Sequence, residues 1–264
     1  MPFTPSHIAA ILPLARTPLP AAGLVIGSMV PDLPYFVPIG IPREYTHSLI
    51  GGLTADLPMG LIAFGVWVFV LRSPLVDFAP RWVHDRFRIA PRRRLWWAFV
   101  VLLIAALLIG IATHLLWDSF THPDGFVVLR VAALRAQLGP FAVSRWLQYL
   151  SSVFGLVVVA IWAVRWVRRT TPAEAPYQRT GGVLRIIAWA AALGVLAVAG
   201  GAIWLRGIIA GTMAFDRVLV YDTAVYSIAL VGVVALLFCL MWYLLPRRDQ
   251  TERKTATTLP RSSA

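Results

Sequence analysis

The stretch 95–117, LWWAFVVLLIAALLIGIATHLLW, decides the fold. It contains no Asp, Glu, Lys or Arg. A helix needs roughly 20 mostly apolar residues to cross the hydrocarbon core of a bilayer. In lipid a helix is favoured because it satisfies its own backbone N–H and C=O groups. Four more stretches have similar length and apolarity: 51–71, 146–164, 183–205 and 223–245. Trp96, Trp97, Trp117, Trp146, Trp166, Trp204 and Trp242 stand at or near the ends of these stretches, as interfacial aromatics do. In 51–71, the least regular of the five, Asp56 is expected to cap the helix with Pro58 in its first turn.

Composition agrees. Of 264 residues, 59% are hydrophobic and 14% charged, against roughly 45–50% and about 25% in soluble domains. The mean hydropathy is +0.74. So much apolar surface excludes a soluble enzyme with one core, and it excludes disorder of the chain as a whole. The sole cysteine, Cys239, lies in an apolar run, so the chain cannot close a disulfide on itself. The expected fold is all-α: a polytopic membrane helix bundle of about five transmembrane helices with a proline-rich helical N-terminal head. Residues 1–245 form a single integral membrane domain, with 1–50 as the head at the outer face and 51–245 as the five-span bundle. Residues 246–264 are polar and are expected to be a disordered cytoplasmic tail.

Charge sets the sidedness. The connectors 72–94 and 165–185 and the tail 246–264 carry net +5, +4 and +3, which is the whole formal charge of +12. With five spans these segments fall on one side, which the positive-inside rule makes cytoplasmic. The expected location is the bacterial cytoplasmic (inner) membrane, with the C-terminus cytoplasmic. Topology thus accounts for the basic residues, and no nucleic-acid partner is expected. The lipid bilayer is the expected partner. His84, in the basic loop WVHDRF, reads as a solvated loop residue.

The head is apolar but broken by nine prolines between Pro2 and Pro42. Short helices are expected near 6–14 and 20–30. No basic n-region or clean cleavage site marks it as a signal peptide. The stretch 21–35 can cross the membrane, re-enter it or lie on it.

Four of the five histidines, His7, His47, His114 and His122, fall on the outer half. In GIATHLLWDSFTHPDGF, His114, Asp118 and His122 are spaced four apart, which stacks side chains on one helical face. An imidazole nitrogen and a carboxylate one turn apart make a metal half-site. In GSMVPDLPYF, Pro31 and Pro34 bracket Asp32 in what reads as a rigid extended segment. A carboxylate in such apolar surroundings needs a partner: a metal, an Arg or a helix N-terminus. In PREYTHSLIGG, Thr46 is a candidate N-cap with His47 at the helix start. In TPSHIAAIL, Thr4 or Ser6 is the candidate cap of the helix bearing His7. His7, Asp32, His47, His114, Asp118 and His122 are therefore candidate metal ligands, with Asp32 also a candidate catalytic base. Mixed N and O ligands favour Zn²⁺, with Mn²⁺ or Fe²⁺ as alternatives.

The segments PSHIAAILPL, GSMVPDLPYF, REYTHSL and THLLWDSFTHP resemble an uncharacterised bacterial family of multi-pass membrane proteins. More loosely, the chain is similar to the inner-membrane metal-dependent hydrolase family. That likeness implies that Asp32, His47, His114 and Asp118, with His7, are site residues. The order of His and Asp also resembles zinc-dependent phospholipase C enzymes, which hold zinc and activate water on a phosphodiester. This chain lacks their H-x-x-x-E helix: its only Glu residues are Glu44, Glu174 and Glu252, and no His follows His122. Three functions remain open: a metal-dependent hydrolase acting on a lipid or lipid-linked (phospho)ester at the outer interface; a non-enzymatic scaffold or assembly protein with a structural His/Asp network; and a small transporter. Spans three to five hold almost no polar residue between their ends, which counts against transport.

Overall fold

A computed structural model describes residues 3–87, 97–172, 180–211 and 217–246. The chain is all-α and polytopic. The connector residues 88–96 and 173–179 and all of the tail beyond 246, expected to be disordered, lie outside the described residues. Five helices are long and apolar enough to cross a membrane: Leu49–Phe78, Trp97–Arg130, Val143–Arg169, Gly182–Ile209 and Val218–Leu244. Each matches one of the five sequence spans, extended by about a turn or more at one or both ends, except that the second is described only from Trp97, two residues after its expected start, and the last stops one residue short of its expected C-terminus. We call Ala21–Gly27 α1, Leu49–Phe78 α2, Trp97–Thr121 α3, Val143–Arg169 α4, Gly182–Ile209 α5 and Arg217–Leu244 α6. Between α3 and α4 a two-residue hairpin pairs β1 (Gln137–Leu138) with β2 (Phe141–Ala142).

Two prolines shape α2. Proline lacks an N–H, and its ring crowds the carbonyl four residues back. The turns before Pro58 and Pro74 accordingly widen to the π type, at Gly52–Asp56 and Trp67–Leu71. Pro74 has no N–H to give the Val70 carbonyl four residues back. The Tyr243 hydroxyl donates to Phe69 O (2.7 Å) and Val70 O (3.2 Å), so these loosened acceptors are not left bare.

The chain divides into two compact units. The first comprises residues 1–68 and 91–169. In it α1 packs along α3 with backbones in contact. A Cβ on Gly27 would lie 2.3 Å from Leu107 O, and one on Gly110 2.5 Å from Leu24 O. Ile11, Leu24 and Ala106 form the small core there. Gly155 of α4 gives the head the same close approach: its Cβ would stand 2.6 Å from Ser6 O. Phe3 N–H donates to Ser152 Oγ (3.1 Å) and Trp117 Nε1 to Ser151 Oγ (3.1 Å), which tie head and α3 to α4. Gly110→Ala is expected to force α1 off α3 and cost about 1–3 kcal/mol, as overpacking does. The measurement is the melting temperature in detergent, and an unchanged value would sink the close-packing argument.

The second unit comprises residues 69–90 and 170–264. Gly207 faces Leu219 and Gly200 faces Ser227, so α5 and α6 run antiparallel. Phe78, Ala188 and Trp242 form its core. Asp77, buried in the last turn of α2, holds the unit together. Its Oδ2 accepts from Thr180 N (3.0 Å), Thr180 Oγ1 (2.7 Å) and Trp242 Nε1 (2.6 Å). Its carbonyl accepts from Arg185 Nε (3.2 Å) and Nη2 (2.8 Å). His84 is not the solvated loop residue expected. It is 1% exposed, with Nδ1 2.9 Å from Asp85 Oδ1 and Nε2 4.0 Å from Asp77 Oδ1. Short-range sequence does not reveal this, because its shelter comes from packing that brings 77 and 84 together.

Candidate metal centre

The first unit gathers the candidate residues. His7 ends a 3₁₀ turn, Thr4–His7, with no side-chain cap. Thr4 Oγ1 instead donates to Asp32 Oδ2 at 2.7 Å. Asp32 is not extended: it closes a 3₁₀ turn, Val30–Asp32, with Pro31 in its first positions, and its φ of −88° and ψ of −7° are helical. A proline tolerates the first turn of a helix because its missing N–H has no partner there. His47 follows the turn Arg43–Thr46. The cap of α2 is Ser48, whose Oγ accepts from Gly51 N at 3.0 Å, so neither Thr46 nor Asp56 caps it. Thr46 Oγ1 is turned back to Arg43 O and His47 Nδ1. His114 and Asp118 lie on one face of α3, as the four-residue spacing requires, and His122 follows its end.

The side chains converge. His47 Nε2 lies 3.3 Å from His114 Nε2, 3.5 Å from Asp32 Oδ1 and 3.3 Å from Asp118 Oδ2. His114 Nε2 lies 3.7 Å from Asp32 Oδ1 and 3.6 Å from Asp118 Oδ2. Four tetrahedral ligand atoms on zinc bonds of about 2.0–2.2 Å stand roughly 3.3–3.6 Å apart. His122 Nδ1 is 3.2 Å from Asp118 Oδ2, and His7 Nε2 is 3.6 Å from Asp118 Oδ1. The His7 ring stacks on that of His114, with centroids 4.0 Å apart. Asp118 is thus the hub, facing four imidazoles. Two overlapping sets could each hold an ion, His7/His114/Asp118 and Asp32/His47/His114.

Tautomers sharpen the fit. His114 Nδ1 lies 2.9 Å from the Ser28 carbonyl, and His47 Nδ1 lies 3.1 Å from the Arg43 carbonyl. A carbonyl only accepts, so both Nδ1 atoms carry protons. In the neutral rings both Nε2 lone pairs then point at each other and at two carboxylates. That arrangement is repulsive until a proton on His47 or an ion between them relieves it, and an oriented Nδ1–H is what metal-ligating histidines have. Among the described residues, both His7 nitrogens, Asp32 Oδ1 and both Asp118 oxygens are buried without a hydrogen bond. Such atoms are costly unless something pairs them.

Titration follows the same geometry. Burial, then the neighbouring His114, lowers His7 to about 3, so it is neutral. Burial works against charge on His47 too, but the carboxylates of Asp118 and Asp32 outweigh it and raise His47 to about 9. Burial also opposes charge on Asp32, yet His47 and His114 beside it hold its carboxyl below the usual range.

Two neighbours, Arg43 and Gln148, were not singled out from sequence, and a third, Asp56, was expected only as a helix cap. Arg43 Nη2 lies 3.6 Å from Asp118 Oδ2, while its Nη1 pairs with Asp124. Its signal was present, since it stands four residues before His47 in PREYTHSL. Asp56 is fully buried with neither oxygen hydrogen-bonded among the described residues, inside the widened turn before Pro58. Gln148, a lone amide within α4, lies 3.3 Å from His122 Nε2. Ser28 acts through its backbone carbonyl, for which sequence holds no sign.

The chain belongs to DUF4184, a domain of unknown function. The match covers residues 1–209. It therefore includes every residue of the DUF4184 centre described above. Comparison with curated proteins and with solved structures finds no match to the chain.

Proposed function

We propose that this DUF4184 protein is a metal-dependent hydrolase embedded in the bacterial cytoplasmic membrane, acting on a lipid or lipid-linked (phospho)ester at the outer interface. The supporting observation is the spacing of Asp32 Oδ1, His47 Nε2, His114 Nε2 and Asp118 Oδ2, 3.3 to 3.7 Å for the five pairs given above. Two imidazoles and two carboxylates suit Zn²⁺, with Mn²⁺ or Fe²⁺ as alternatives. A bound ion of this kind supplies Lewis-acid polarisation of an ester and a lowered pKa for water. The chain's own groups do the rest. The carbonyls of Ser28 and Arg43 hold two imidazoles in the ligating tautomer. Asp118 orients the histidines around it. Asp32, steadied at Oδ2 by Thr4, would offer Oδ1 either to the ion as a ligand or, in a centre held by the other residues, to a water as base instead. The basic connectors and tail put the opposite ends of the spans in the cytoplasm, so this centre faces outward.

Metal analysis of detergent-purified protein tests the reading. Stoichiometric zinc in the wild type and its loss in His114→Ala is the expected result. Equally low metal in both overturns it and leaves a structural hydrogen-bond network.

A pH dependence follows from His47. Its folded pKa, about 9, is above the ordinary 6.5. The proton it holds therefore stabilises the ion-free protein fully below about 6.5, and that contribution is lost as pH rises through about 9. An ion needs the deprotonated ring. The zinc-induced rise in melting temperature is thus expected to grow between pH 6.5 and 9. A response that is flat or falls over that window removes His47 from the ligand set.

A further inference from the structure

We infer that Arg43 is the phosphate-binding residue of this centre, so that its substrate is a phosphoester and not a neutral ester. The inference rests on the metal-centre reading. Asp32 and Asp118 together offset a divalent ion, which leaves the guanidinium as surplus positive charge beside it. Asp124 now meets that charge. The Asp124 side chain is 56% exposed and that of Arg43 19%, and a pair so open to solvent is weak. An anion arriving at the centre can take over Nη1, which now meets Asp124, together with Nη2, because guanidinium geometry matches phosphate oxygens bidentately. Arg43 already reaches inward, with Nη2 3.6 Å from Asp118 Oδ2. One side chain thus spans from the centre to solvent.

The surroundings fit a phosphate carried on an apolar group. Exposed Leu49 and Ile50 follow His47 in the chain, and exposed Phe126 and Leu129 follow Asp124. The polar mouth is therefore bordered in sequence by apolar side chains open to lipid, and a lipid headgroup can present its phosphate there without leaving the membrane.

The test is clean because His47 depends on the Arg43 carbonyl and not on its side chain. Full-length protein in detergent is loaded with zinc, its metal content is measured, and inorganic phosphate is titrated by calorimetry. Arg43→Gln is expected to keep its zinc and to bind phosphate at least roughly 10-fold more weakly, the size of one charge-assisted hydrogen bond. Arg43→Lys, which keeps charge but loses the fork, is expected to fall between. Asp124→Asn is expected to tighten binding by a factor of about 2–5, as loss of an exposed competitor would. Arg43→Gln binding phosphate as tightly as the wild type overturns the inference while leaving the metal centre standing. Phosphate binding that depends on Arg43 in protein that retains no zinc overturns the metal reading and leaves the anion site standing. A second arm titrates a micelle-borne monoacyl phosphate. Binding more than about 10-fold tighter than inorganic phosphate assigns a lipid source and equal binding a soluble one; either supports the Arg43 site where Arg43→Gln weakens it likewise, and binding that Arg43→Gln leaves unchanged overturns it.

Discussion

Asp118→Asn is expected to abolish zinc retention and every zinc-dependent gain in stability. Its two oxygens face His7, His47, His114 and His122 at 3.2–3.6 Å, so among the described residues no other single side chain touches as many of the imidazoles. An amide keeps the volume but replaces one acceptor oxygen with a donor and removes the charge that offsets the ion. Free zinc at about 1,000 times Kd stabilises a protein that binds it only when folded by about 4 kcal/mol. At roughly 2–4 °C per kcal/mol for a chain of this size, the wild type is expected to melt about 8–16 °C higher with zinc. Asp118→Asn should show no such rise. Thermal melts in detergent with and without zinc decide it, and a zinc response of wild-type size in the variant would refute the proposed coordination.

The second large effect is expected far along the chain from that centre. Asp77→Ala leaves Thr180 N–H, the Thr180 hydroxyl and Trp242 Nε1–H without their acceptor in a buried setting. Breaking a buried charged network by removing one partner costs about 3–5 kcal/mol. The expected result is a melting temperature lower by roughly 6–20 °C at 2–4 °C per kcal/mol. Asp77→Asn retains one carbonyl oxygen and should lose much less. If Asp77→Ala melts with the wild type, Asp77 is not what holds the second unit together.

The two centres differ in how legible they were. His114 and Asp118 could be read because they belong to one helix, whose period alone puts them on a common face, and His122 because it follows the end of that helix at the same four-residue spacing. Asp32 and His47 could be read as polar residues in apolar, proline-bounded surroundings, but their local shapes could not. Asp32 takes up a helical turn where its flanking prolines suggested extension. Ser48, two residues past the expected Thr46, is the cap of α2. Such choices turn on a few hydrogen bonds each, and tertiary neighbours decide them: Thr4 draws off one oxygen of Asp32, and Arg43 O takes the Thr46 hydroxyl. Asp56 looked like a cap because it precedes Pro58. It lies instead within a helix that began at Leu49 and widens its turn to accommodate the proline.

The amino-acid sequence by itself determined the solvent of this protein, its five spans, the segregation of its basic residues and the helical face bearing His114 and Asp118. These follow from apolar length, charge count and helix period, which are local quantities. The tertiary structure decided which ionisable groups meet. His7 and Asp118 are separated by 111 positions (118 minus 7) yet lie 3.6 Å apart. Ser28 O reaches His114 because Gly27 and Gly110 let two backbones touch. Asp77 finds Trp242 across 165 positions. Contacts of that range depend on backbone approach and side-chain volume summed over many neighbours, and no short stretch of sequence contains that sum.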